Sequence, residues 1–111
     1  MLTCVIALLE SASLGVSPAQ SADLRRCANV FHTSGGYSSI GVRARGVSCT
    51  TARSLVRQHA RRRGCASQYF CRVGAWTCRT AKTRFGVADE PKYDCRRSGA
   101  RVVFQDVKGR R

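Results

Sequence analysis

Six cysteines constrain this chain more than any other feature. Cys27, Cys49, Cys65, Cys71, Cys78 and Cys95 all follow a 22-residue opening, MLTCVIALLESASLGVSPAQSA, that has no Lys or Arg. This opening carries a short apolar run, Leu2–Leu9, and then small residues at Ser17, Ala19 and Ala22. It reads as a secretory signal peptide with a small-residue cleavage site. The run is too short to span a bilayer. Glu10 and the absence of an N-terminal basic residue fit a leader less well, and leave open a buried helix in a cytosolic protein. The expectation is an exported chain with no transmembrane segment after processing, and an even set of cysteines in such a chain forms three disulfides.

Size explains why bridges are needed. A mature chain of about 89 residues buries only ~60–65% of its unfolded surface. Each bridge adds about 2–4 kcal/mol. Cys65 and Cys71 close a short loop and are expected to pair. Among the others, Cys49–Cys95 would tie a helix start to a hairpin, which leaves Cys27–Cys78.

Along the chain, residues 23–39 are polar and irregular, with Gly35–Gly36 as a turn, and read as a flexible lead-in. Ile40, Val42 and Ala44 then alternate with Gly41, Arg43 and Arg45, predicting a strand with one buried and one basic face. A helix over 49–63 follows, with Ser48 as N-cap and Val47 packed on its first turn. Ala52, Leu55, Val56 and Ala60 form its apolar stripe, and Gly64 fits the position after its last turn. RVGAWTCRT predicts a strand, AKTRFGVADEPK a loop, and YDCRR with ARVVFQ a hairpin about Ser98–Gly99. The predicted fold class is α+β, in the order β-α-β-β-β: one helix packed on a small antiparallel sheet of three to four strands. Residues 40–105 make the disulfide-bonded domain and 106–111 a basic tail.

Charge is the second constraint. The chain has 20 Lys and Arg against 6 Asp and Glu, a formal charge of +14. Every basic residue follows the leader and Glu10 leaves with it, so the mature chain stands at +15. Seventeen of the basic residues are Arg, which binds phosphate, sulfate and carboxylate in a planar, bidentate way. Codon bias in a GC-rich genome yields the same composition. Arg53, Arg57 and Arg61 recur at i, i+4, i+8 on the helix, a like-charge ridge that costs stability. Arg43 and Arg45 share the exposed face of the first strand, and Arg96, Arg97 and Arg101 crowd the hairpin.

Catalytic chemistry finds little support. Cys49 sits at a helix start, where a thiol pKa falls. However, His59 lies about 15 Å further along the same helix and cannot serve it. Neighbouring cysteines are separated by five residues or more, unlike the C-x₂₋₄-C pairs of structural zinc sites. There is no paired-carboxylate, Ser/His/Asp or phosphate-cradling pattern. No enzyme activity, metal or cofactor is expected.

SSIGVRARGVSCTTARSLV, CRVGAWTCR and YDCRRSGARVVFQ together resemble a pattern of small secreted cysteine-rich proteins of actinobacteria and their relatives. The matching features are Gly46–Cys49, Ala52–Arg53, Trp76–Cys78 and Cys95–Phe104. The resemblance spans about residues 27–105 and implies export and a disulfide-bonded α+β domain. That family has no assigned activity, so no functional residue carries over.

The expected role is a non-enzymatic binding module for anionic surfaces or polymers: cell-wall polymer, polysaccharide, anionic lipid or non-specific nucleic acid. The alternative is a disulfide-rich inhibitor or toxin-like effector that presents the Cys65–Cys71 loop, with Tyr69 and Phe70, to a protein target. A third reading, a cytosolic zinc or nucleic-acid protein, requires reduced cysteines.

Overall fold

Strand alternation and one amphipathic helix account for the architecture, seen in a computed structural model that describes residues 23–62, 65, 69–84 and 86–110. The expected signal peptide lies outside the described residues. In chain order the elements are β1 (Arg25–Arg26), β2 (Val30–His32), β3 (Tyr37–Arg45), α1 (Cys49–Arg61), β4 (Phe70–Val73), β5 (Trp76–Thr80), β6 (Lys82–Thr83), β7 (Gly86–Val87), β8 (Lys92–Arg97) and β9 (Ala100–Lys108). Seven of the strands form one antiparallel sheet in the order β1-β3-β9-β8-β5-β4, with β2 also paired to β3; β6 and β7 make a separate ribbon.

This corrects the expected sheet of three to four strands. The stretch RVGAWTCRT, read as one strand, holds the end of one hairpin arm, the turn and the second arm. Gly74, with φ +58, reverses the chain between Val73 and Trp76, which face each other. Residues 23–39 contribute β1, β2 and the start of β3, and β9 runs on to Lys108. Strands of two or three residues are too short for alternation to reveal, so only their partner β3 defines them.

Helix α1 begins as expected. The Ser48 hydroxyl accepts from the Thr51 N–H at 3.1 Å. It ends earlier than expected: Arg62 is the extended C-cap, its N–H donating to Gln58 O at 3.0 Å, and Gly64 lies outside the described residues. Ala52, Leu55, Val56 and His59 are its buried residues. Thus His59, rather than the half-buried Ala60, completes the stripe. The helix packs against β2, β3 and β4, over a core that includes Val42, Ala44, Val73, Trp76, Val102 and Phe104.

One bulge changes which residues of β3 face the helix. The register steps from Val103↔Arg43 to Gln105↔Ile40, so Gly41 and Val42 together oppose Phe104. Gly41 takes φ +61 there, a conformation that favours glycine. Val42 and Ala44 face the core as expected, whereas Ile40 turns to the opposite face and Ser39 becomes buried.

Three disulfides staple the fold: Cys27–Cys49, Cys65–Cys71 and Cys78–Cys95. The Cys65–Cys71 pair is the expected one. Cys49–Cys95 and Cys27–Cys78 are not formed. Cys78 and Cys95 are direct register partners on β5 and β8, with Cα atoms 3.9 Å apart. Cys27 leaves the edge strand beside the helix start and meets Cys49 at a Cα distance of 5.5 Å. Cys49 is a half-cystine, not a nucleophile.

Candidate anion-binding face

Four cysteines stand next to an arginine: Arg26–Cys27, Cys71–Arg72, Cys78–Arg79 and Cys95–Arg96. Successive strand residues point to opposite faces. Each buried cysteine on the helix side therefore sends its neighbour to the other side. In β4, β5 and β8 the burial pattern shows this directly, with buried Cys71, Cys78 and Cys95 beside exposed Arg72, Arg79 and Arg96.

Register lines these arginines up across the strands. One row runs from Arg72 through Thr77, Arg96 and Arg101 to Arg45. A second runs from Phe70 through Arg79, Asp94, Val103 and Arg43 to Arg26. At ~4.8 Å per strand the first row, across five strands, reaches about 19 Å and the second, across six, about 24 Å. Along the second row, on the side away from the first, lies a groove of about 600 Å³, lined by Arg43, Arg79, Lys92, Asp94, Arg101 and Gln105 among others.

Asp94 is the only acidic side chain in these rows among the described residues. Its carboxylate accepts from Arg101 Nε and Nη2 at 3.1 and 2.9 Å, and from Arg96 Nε and Nη2 at 3.4 and 3.3 Å. Burial would raise its pKa, but the hydrogen bonds and charges of Arg101 and Arg96 outweigh burial and hold it below the usual carboxylate value. The carboxylate orients two guanidinium groups while leaving Arg96 largely in solvent. Arg79 also lies over the Phe70 ring, 5.2 Å from its centroid. Among the described residues, Phe70 and Tyr69 are the exposed large hydrophobic residues, at 41% and 48%, as expected from the sequence. Residues 66–68 of their loop lie outside the described residues.

Of the eight expected arginines, Arg43, Arg45, Arg96 and Arg101 come together on this face. Arg97 points to the helix side, over the Trp76 ring at 4.6 Å. Arg53, Arg57 and Arg61 belong to α1, across the sheet from the groove, and Arg53 donates to Asn29 O at 3.2 Å. Sequence reasoning missed Arg26, Arg72, Arg79 and Lys92. The Cys-Arg adjacency was the available signal for the first three. No family model, curated protein or solved structure matches the chain.

A second polar cluster is buried under the helix. Ser39 Oγ donates to Asp106 Oδ1 at 2.6 Å and pairs with His32 Nε2 at 2.8 Å. With its proton on Asp106, the hydroxyl accepts from His32, so that Nε2 carries the hydrogen. The chain runs His32 to Ser39 to Asp106, so the serine proton faces Asp106 and not His32. Burial pushes Asp106 up to about 6, against the Ser39 hydrogen bond that lowers it. Burial, and then the Arg57 charge, lowers His32. This network exists because the Gly41 bulge turns Ser39 inward.

Proposed function

We propose that this is an exported, disulfide-stapled binding module that captures a linear anionic polymer on the arginine rows of the open sheet face. The observation that carries the reading is the paired rows themselves: basic side chains on six adjacent strands, with one intervening carboxylate. Polymer phosphates or sulfates laid across the strands would meet Arg72, Arg96, Arg101 and Arg45 in succession, and guanidinium geometry suits those groups. Export rests on the leader composition and on three disulfides, which are consistent with an oxidising compartment. No described helix is long and apolar enough to cross a membrane.

The test is binding to single-stranded DNA and to a sulfated polysaccharide across a salt series. The reading expects log Kobs for the DNA to fall linearly with log salt, at about 0.7 per phosphate engaged. Glutamine at Arg72, Arg79 and Arg43 should flatten the slope, whereas glutamine at Arg57 and Arg61 should leave it nearly unchanged. Salt-insensitive capture of a protein target through Tyr69 and Phe70 would instead favour the inhibitor reading.

A further inference from the structure

His59 is a buried polar side chain without a visible purpose. It is 2% exposed, its ring 4.4 Å from that of Tyr93 and 5.4 Å from that of Phe104. Among the described residues its Nε2 has no hydrogen-bond partner. An unsatisfied buried nitrogen costs about 1–3 kcal/mol, and the two flanking rings supply nothing to satisfy it. Two sulfurs lie within reach. One ring nitrogen of His59 and the Sγ atoms of Cys65 and Cys71 are all within 4.8 Å of one another, and all three residues are buried. Spacing along the chain argued against a metal because it compared only neighbouring cysteines. The fold adds a helix residue that such spacing does not contain.

We infer that reduction of the Cys65–Cys71 bridge opens a buried site for a zinc-like divalent cation, with His59, Cys65 and Cys71 as its protein ligands. A dithiol gives up two electrons and two protons and closes its own disulfide, while the Cys65–Cys71 bond becomes two thiols. The cation then displaces both thiol protons and binds two thiolates and the neutral imidazole. Imidazole with thiolates is a zinc ligand set, and three protein ligands leave a fourth position for water or an outside donor. In the oxidised chain the sulfurs are spent on each other and hold no cation. The site is separate from the arginine rows, which occupy the other face of the sheet.

The experiment uses the full chain, treated with limiting dithiol that is then removed under argon. Peptide mapping checks that Cys27–Cys49 and Cys78–Cys95 stay closed, and Co²⁺ serves as the spectroscopic probe. The expected result is one Co²⁺ per reduced chain, with a thiolate-to-cobalt charge-transfer band, and no uptake by the oxidised chain. His59→Phe, which keeps a ring in the core, should weaken binding about tenfold or more. Zn²⁺ should shield Cys65 and Cys71 from alkylation and shift the His59 imidazole ¹⁵N resonances of the unsubstituted protein. The inference is overturned by absent uptake, by uptake without the charge-transfer band, by equal uptake in the oxidised chain, or by unshifted His59 resonances. If His59→Phe does not fold, the alkylation and ¹⁵N readouts on the unsubstituted chain decide. If reduction loosens the fold, Zn²⁺ must restore near-UV circular dichroism, and failure to do so counts against the site.

Discussion

Cys78 and Cys95 sit directly opposite one another on β5 and β8, bridged on the helix side with Cα atoms 3.9 Å apart. Their chain neighbours, Arg79 and Arg96, emerge on the other face. The same bond that staples the sheet thus fixes the spacing of two cations. Removing it in Cys78→Ala/Cys95→Ala should cost about 3 kcal/mol, as expected for a bridge of sequence separation 17. Guanidinium unfolding midpoints check the stability. Anion affinity should fall with both arginines still present, and unchanged affinity would separate the staple from the cationic rows.

Asp94 restrains Arg96 and Arg101. Asp94→Asn removes a partly exposed ion pair, so the stability loss should be small, ~0.2–1 kcal/mol. It also frees two guanidinium groups for an incoming anion. Polymer affinity at low salt should therefore rise, and isothermal titration against a sulfated polysaccharide should show it. A drop in affinity would mean that orientation by Asp94 matters more than the charge it neutralises.

Two buried groups pull stability in opposite directions between pH 4 and 7. Burial raises Asp106 from 3.8 to about 6, so its contribution is fully present below the unfolded value and is lost as pH rises through about 6. Burial, followed by the charge of His32, lowers His59 from 6.5 to about 4. Its contribution is present above 6.5 and lost as pH falls toward 4. Each change is worth about 2–3 kcal/mol, and in the unsubstituted protein they largely cancel. Single variants should unmask them. Asp106→Asn should gain on the unsubstituted protein as pH rises from 4 to 7, and His59→Phe should gain as pH falls over the same range. Urea midpoints at each pH give the comparison, and parallel curves would contradict it.

Two glycines at positive φ should differ in cost. Gly41 has φ +61 and open space where a Cβ would stand, so Gly41→Ala should lose about 1 kcal/mol from backbone strain alone. Gly46 has φ +80, and a Cβ there would sit 3.0 Å from Gly99 O and 3.1 Å from Ala100 Cα. Gly46→Ala adds that contact with hairpin backbone to the strain and should cost about 2–3 kcal/mol. Thermal melts of the two variants should rank accordingly.

The local features were legible in the sequence because they depend on near neighbours. Ser48 caps α1, the helix stripe has period 3.6, Cys65 pairs with Cys71 across a short loop, and the β8–β9 hairpin turns at Ser98–Gly99. What is set between distant strands was not legible. The bulge at Gly41 is defined only by the register of β3 against β9, yet it sends Ile40 outward and Ser39 inward to Asp106. Cys78–Cys95 follows from which strands lie side by side, Cys27–Cys49 from the exit of the edge strand meeting the helix start, and β1 and β2 are strands only because β3 pairs with them. The arginine rows stand between these cases. Alternation beside each cysteine sets the side on which an arginine emerges, a property of two adjacent residues. Only the strand order β3-β9-β8-β5-β4 brings Arg45, Arg101, Arg96 and Arg72 into one line, because cross-strand neighbours come from distant parts of the chain.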